Sequence, residues 1–148
     1  MSRGKPRERG QTVIEFALLA PVIILFLFMI VDFGIAMDRR IVLQHAVREG
    51  ARYAAVHAVT TDDDCEAIRA RTEAQAQDII DTTDVTVSYQ SNPAAAGQWV
   101  KVSAEFHYEP AIVNSIGSLF GGSAPTIDIS PSASARLELA VTNARGCP

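Results

Sequence analysis

From Phe16 to Val31 the chain reads FALLAPVIILFLFMIV, with no charged residue. With Thr12 to Ile14 before it and Phe33 to Met37 after it, the run is long enough to cross a hydrocarbon core of roughly 30 Å. Residues committed to lipid cannot build a water-facing core. A chain of 148 residues therefore has room for one small globular unit outside the membrane.

The leader MSRGKPRERG sets Arg3, Lys5, Arg7 and Arg9 against Glu8 alone, which favours a cytoplasmic N-terminus. Arg39, Arg40, Arg48 and Arg52 balance that count on the far side. Orientation therefore rests on the short leader, the long C-terminal part and the cysteine pair, which together put the head outside the cytoplasm. Pro21 removes one helical hydrogen bond, to Ala17, and marks a bend instead of a break. Asp32, near the far end, is expected to reach the interface and be solvated. Glu15 lies at the cytoplasmic end of the apolar run, where a buried carboxylate needs a positive partner. The formal net charge is -4, with Lys and Arg scattered outside the leader, so the electrostatic footprint of a nucleic-acid binder is missing.

The order Gly10, Gln11, Thr12, Val13, Ile14, Glu15, Phe16 resembles the class III signal of type IV pilins and pseudopilins, which a prepilin peptidase cuts after the glycine. The run RGQTVIEFALLAPVIILFLFMIVDFG, followed by LQHAVREGARYAA, is similar to the TadE-like family of pseudopilins from tight-adherence (Tad) pilus systems. The resemblance implies a leader over residues 1–10, a transmembrane helix over 11–36 and an extracytoplasmic head over 37–148. Gly10 would precede the cut, Gln11 would be the new N-terminus and Glu15, followed by Phe16, the fifth mature residue. In the family that glutamate is thought to neutralise the N-terminal amine of an adjacent subunit. An N-terminal glutamine can cyclise to an uncharged lactam, which removes that cation unless methylation or rapid assembly intervenes.

The same resemblance implies a minor pilin or pseudopilin in the inner membrane that assembles or initiates a pilus used in adhesion or secretion. Its partners would be the prepilin peptidase, the other Tad pseudopilins and major pilin, the assembly platform and membrane lipid. Two other readings compete. An ordinary secretory signal could be cut after Gly34-Ile35-Ala36, although the apolar stretch is longer than the usual core of such signals. An uncleaved anchor could instead carry a binding domain that never joins a filament.

Beyond the membrane run the helical pattern continues through Ile41, Ala46, Val47, Gly50, Ala51, Ala54 and Ala55 to about Val59. Ala46, Gly50 and Ala54 place small residues on one face, allowing close approach of another backbone. The chain's own sheet is the first candidate for that contact and a neighbouring subunit the second. Arg48, Glu49 and Arg52 are read as solvated. In CEAIRARTEAQAQDIID, the residues Ile68, Thr72, Ala76 and Ile79 trace one helical face.

Three alternating segments follow: Val85, Val87 and Tyr89; Val100, Val102, Ala104, Phe106 and Tyr108; and Ile127, Ile129, Ala133, Ala135, Leu137, Leu139 and Val141. Between the last two, AIVNSIGSLF forms a short amphipathic helix through Ile112, Ile116 and Leu119, ended by Gly121-Gly122. Pro131 puts the last strand at an edge or a bulge. The fold class expected is α+β: a long helix packed on a small antiparallel sheet of about three strands, with one or two short helices, pilin-like by resemblance.

The residue types of catalysis are present without the spacing that catalysis needs. Asp62, Asp63 and Asp64 are read as helix caps, not as a metal site. Asp128, Ser130 and Ser132 match the D-x-S-x-S start of a metal-ion-dependent adhesion site, but too little chain follows to build the doubly wound domain that motif needs. His45, His57 and His107 lack ligand spacing. No phosphate loop, nucleophile elbow or cysteine signature occurs, so neither enzyme activity nor a cofactor is expected. Cys65 and Cys147, an even pair without CxxC spacing behind a membrane-targeting start, are read as a disulfide, with two unrelated thiols the alternative.

Overall fold

A computed structural model describes residues 8–57, 62–76, 79–119, 121–123 and 125–142. The elements are helix α1 (Glu8–Val56), helix α2 (Asp62–Gln75), strands β1 (Val85–Tyr89), β2 (Trp99–Ala104) and β3 (Phe106–Tyr108), helix α3 (Ala111–Leu119), and strands β4 (Ile127–Ile129) and β5 (Ser132–Arg136). A 3-10 turn at Thr82–Asp84 leads into β1. The architecture is α+β. Two compact units are distinguished: residues up to Ile35 with Glu109–Pro125, and Ala36–Tyr108 with residues from Thr126 onward.

In the first unit α1 is helical through Pro21, and large apolar side chains from Val13 to Val31 lie exposed, Phe16 and Leu18 among them at 67% and 72%. Gln11 to Val31 rises about 31 Å, enough to span a bilayer. A surface this apolar has no stable place in water. The same unit contains α3, whose C-terminus is closed by Gly121 at φ +74°: the N–H of Gly121 donates to Ser118 and that of Gly122 to Gly117. These glycine bonds satisfy carbonyls that a helix end otherwise leaves open.

In the second unit the later part of α1 forms one wall of the core. Leu43, Ala46, Val47, Ala51, Ala54 and Ala55 are buried, together with Cys65, Ile68, Thr72 and Ala76 on or beside α2. The sheet order is β1-β2-β5, all antiparallel, with Val87 opposite Val102 and Val102 opposite Ala133. Val85, Val87, Val100, Val102 and Ala104 turn inward while Thr86, Trp99 and Lys101 face out, the period of two expected of a sheet with one covered face.

The third alternating segment is not one strand. It breaks at Ser130–Pro131, so that β4 pairs with β3 in a separate two-stranded ribbon while β5 lies at the edge of the main sheet. Proline cannot donate to a ladder. Here its carbonyl accepts from the N–H of Ala104, and the partner strand breaks at Glu105 in turn, its N–H donating to Asp84. Past Arg136 the chain leaves the sheet. Leu137 and Val141 stay buried, but Leu139 is 49% exposed, contrary to the alternation expected of a strand continuing to Val141.

Candidate functional site

The first candidate group is the start of α1. Gly10 and Gln11 lie within the helix and are exposed, as are Glu15 and Phe16. Glu15 is not without a neighbour. The Gln11 side-chain amide donates to its Oε1 at 3.2 Å, the spacing of four that puts two side chains on one helical face. That bond brings no opposite charge to Glu15, since an amide carries none. Cyclisation of an N-terminal Gln11 would expel this same amide nitrogen as ammonia, so Glu15 would lose the donor as well as the cation.

Asp32 is the residue that sequence reasoning misplaced. It is 4% exposed, not solvated, and its Oδ2 accepts the backbone N–H of Val113 at 2.9 Å. The reason lies in α3. Its first helical bond runs from Asn114 N–H to the carbonyl of Pro110, which makes Pro110 the N-cap, and proline has no side-chain oxygen to offer the free N–H groups of the first turn. A carboxylate from far earlier in the chain, on α1, supplies that acceptor and meets the positive end of the helix dipole. The signal was present in the sequence as a helix with no capping side chain of its own. Asp32 Oδ1 is buried and has no hydrogen-bond partner among the described residues.

Ala46, Gly50 and Ala54 are buried in the second unit. A Cβ added at Gly50 would overlap the hydroxyl oxygen of Thr72 on α2, and would lie 3.3 Å from Thr72 Cβ and 3.4 Å from Val102 Cγ1 on β2. At Gly50 the small-residue face thus packs against this chain's own helix and sheet. Thr72 is itself fully buried and donates back to the Ile68 carbonyl at 2.9 Å, which fixes its rotamer. Glu49, read as solvated, receives Arg71 Nη2 of α2 at 3.2 Å. An exposed pair of this kind contributes little to stability.

The remaining candidates are dispersed. Cys65 is 6% exposed near the start of α2, and Cys147 lies outside the described residues. Asp128 sits on the ribbon, where its Oδ1 meets His107 Nδ1 at 2.7 Å. Hydrogen bonding to Asp128, then its charge, raises the His107 pKa above the ordinary histidine value. Among the described residues no three His, Cys, Asp or Glu side chains gather where a metal ion could be held. His57 stacks on Tyr53 with ring centroids 3.8 Å apart.

An exposed apolar helix with a carboxylate near its start is the arrangement to compare with known proteins. Residues 10–52 match the family model described as TadE-like protein. The TadE-like segment begins on Gly10, includes Glu15, Asp32, Ala46 and Gly50, and ends within α1, shortly before Val56. The matched residues are confined to α1, and that helix is long and apolar enough to cross a membrane. Neither the curated proteins nor the solved structures gave a match.

Proposed function

We propose that this chain is a non-enzymatic minor pilin or pseudopilin of a Tad-type pilus, stored in the inner membrane and processed by a prepilin peptidase between Gly10 and Gln11. The match over residues 10–52 carries this reading, because it starts at the glycine of the proposed cut and takes in Glu15 and the whole apolar run. The leader stays in the cytoplasm and the part beyond Asp32 lies outside it. Cys65 and Cys147 are joined there in an oxidising compartment.

Assembly gives Glu15 a charge partner from a neighbouring subunit. A carboxylate held in a low-dielectric bundle of helices is destabilising unless a cation approaches, and the freed amine of a neighbouring Gln11 is such a cation. The partners are the peptidase, the other pseudopilins and the assembly platform.

The test is the N-terminal mass of membrane-extracted protein made with and without the cognate peptidase. A start at Gln11 that disappears without the enzyme supports the reading. A start at Met37 would make the chain a secreted soluble domain, and an uncut N-terminus would make it a simple anchor; either outcome overturns it. Glu15→Gln should then abolish incorporation while leaving membrane insertion intact.

A further inference from the structure

We propose that α3 and its glycine turn are embedded in the bilayer beside α1, as a second, re-entrant membrane segment, with lipid acyl chains filling the groove between the two helices. The inference rests on α1 being the membrane span, and three independent observations carry it.

The first is charge. From Pro110 to Ile127 the chain has no charged residue, in a sequence where 20% of residues are charged. That interval coincides closely with the part of the chain, Glu109–Pro125, that joins the unit of the apolar helix and not the unit of the sheets.

The second is position. The N-terminal turn of α3 is held at Asp32, and its Val113, Ile116 and Gly117 border an open, almost wholly apolar groove of about 560 Å³ whose other wall is Pro21, Val22, Ile24 and Leu25 of α1. Asp32 to Pro21 is about 16 Å of helix, roughly half the hydrocarbon thickness. With Asp32 at the outer interface, the groove lies at the depth of acyl chains, and α1 residues bordering it are exposed.

The third is backbone satisfaction, the condition lipid imposes. Pro110 and Pro125 bring no N–H to either end of the segment. Val113 N–H is taken by Asp32, and the carbonyls of Gly117 and Ser118 are taken by the glycine turn. The hydroxyls of Ser115 and Ser118 donate to the carbonyls of Ala111 and Ser115, at 2.7 and 2.9 Å, so these exposed polar side chains are satisfied inside their own helix.

The test uses the full chain in vesicles of phosphatidylcholine brominated on its acyl chains, with Trp99 replaced by Phe and a single reporter at Ser118→Trp. Phe26→Trp in the same background reports on α1, and unaltered Trp99, on the outer face of β2, is the aqueous reference. The expected result is a blue-shifted Ser118→Trp emission that loses as much intensity to the brominated lipid as Phe26→Trp does, and resists iodide. Quenching at position 26 by lipid with iodide quenching at 118 would place α3 in water and overturn this inference alone, leaving the proposed function standing. Protection of 118 from both quenchers would mean that another protein surface covers α3, and also overturns it. Quenching at neither position by lipid would overturn the membrane span too. Should Ser118→Trp fail to fold, Ser115→Trp, exposed one turn earlier on the same helix, gives the same readout.

Discussion

The carboxylate of Asp32 accepts the backbone N–H of Val113 at 2.9 Å, across 81 residues of sequence. Removing it by Asp32→Ala leaves a partly buried donor without an acceptor, a loss of about 1–3 kcal/mol for a group of this kind. The amide of Val113 should then exchange with solvent about five- to 150-fold faster, since about 1.4 kcal/mol is a factor of ten. Asp32→Asn keeps an acceptor oxygen and should restore most of the protection. Hydrogen exchange followed at Val113 in micelles checks both; unchanged exchange in the alanine variant would show that the bond contributes nothing.

Gly50→Ala sets two effects of opposite sign against each other. Alanine favours the helix by about 1 kcal/mol over glycine. Against that, its methyl would overlap the Thr72 hydroxyl, and turning Thr72 aside breaks the 2.9 Å bond to Ile68 in a fully buried place. Overpacking of this sort costs about 1–3 kcal/mol on top of the lost bond, so the variant should be less stable. Thr72→Ala combined with Gly50→Ala should recover part of the loss, with a coupling of about 1 kcal/mol in a double-mutant cycle measured by urea unfolding of the head.

Burial, and secondarily the charge of Asp64, pushes the Tyr89 phenol up to about 12. An unfolded tyrosine ionises near 10. Between those two values the unfolded chain gives up a proton that the folded chain keeps, so stability falls as pH rises through that interval. Tyr89→Phe should abolish this alkaline slope. Among the described residues the Tyr89 hydroxyl has no hydrogen-bond partner, so at neutral pH the substitution should leave stability within about 1 kcal/mol of the parent. Thermal unfolding measured at pH 8 and at pH 11 provides the comparison.

His107 should titrate above the ordinary histidine value because Asp128 holds its protonated form. For a group raised in this way the stabilisation is complete below the unfolded pKa and disappears as pH climbs through the folded one. The pair is exposed, so its effect on stability is small and the titration itself is the measurement to make. Asp128→Asn should move the His107 midpoint, followed by NMR, back toward about 6.5.

The parts of the fold that were legible in the sequence are those written by local periodicity. The exposed apolar run, the small-residue face at Ala46, Gly50 and Ala54, and the Ile68-Thr72 face of α2 all follow from repeats of three and four residues, although α2 ends at Gln75, before Ala76 and Ile79 that the same pattern placed on it. The inward valines of β1 and β2 follow from repeats of two. The misreadings share a physical cause, which is dependence on distant partners. Nothing near Asp32 says that a helix 81 residues later lacks a cap. Glu49 stays exposed as read, and only its partner, Arg71 on α2, was out of sight in the local sequence. Pro131 signalled an edge or a bulge, but not that its carbonyl would take the Ala104 N–H while the strand passed from one ribbon to another sheet. At the candidate site, Glu15 was visible from its chemistry, whereas its bond from Gln11 needed only the spacing of four and was overlooked.

Residues from the later part of the head close its core. Glu138 donates its N–H to the carbonyl of Ala55 near the end of α1, and Val141 exchanges two backbone bonds with Ala94. Edge strand β5, which covers one side of β2, comes only just before them. During synthesis α1 is therefore complete more than half a chain before the residues that finish its enclosure exist. α2 and β2, which meet the small-residue face at Thr72 and Val102, are made earlier, so a chain cut short before Val141 should keep that contact, lose the bonds to Ala55 and Ala94, and be cleaved by proteases faster than the full head.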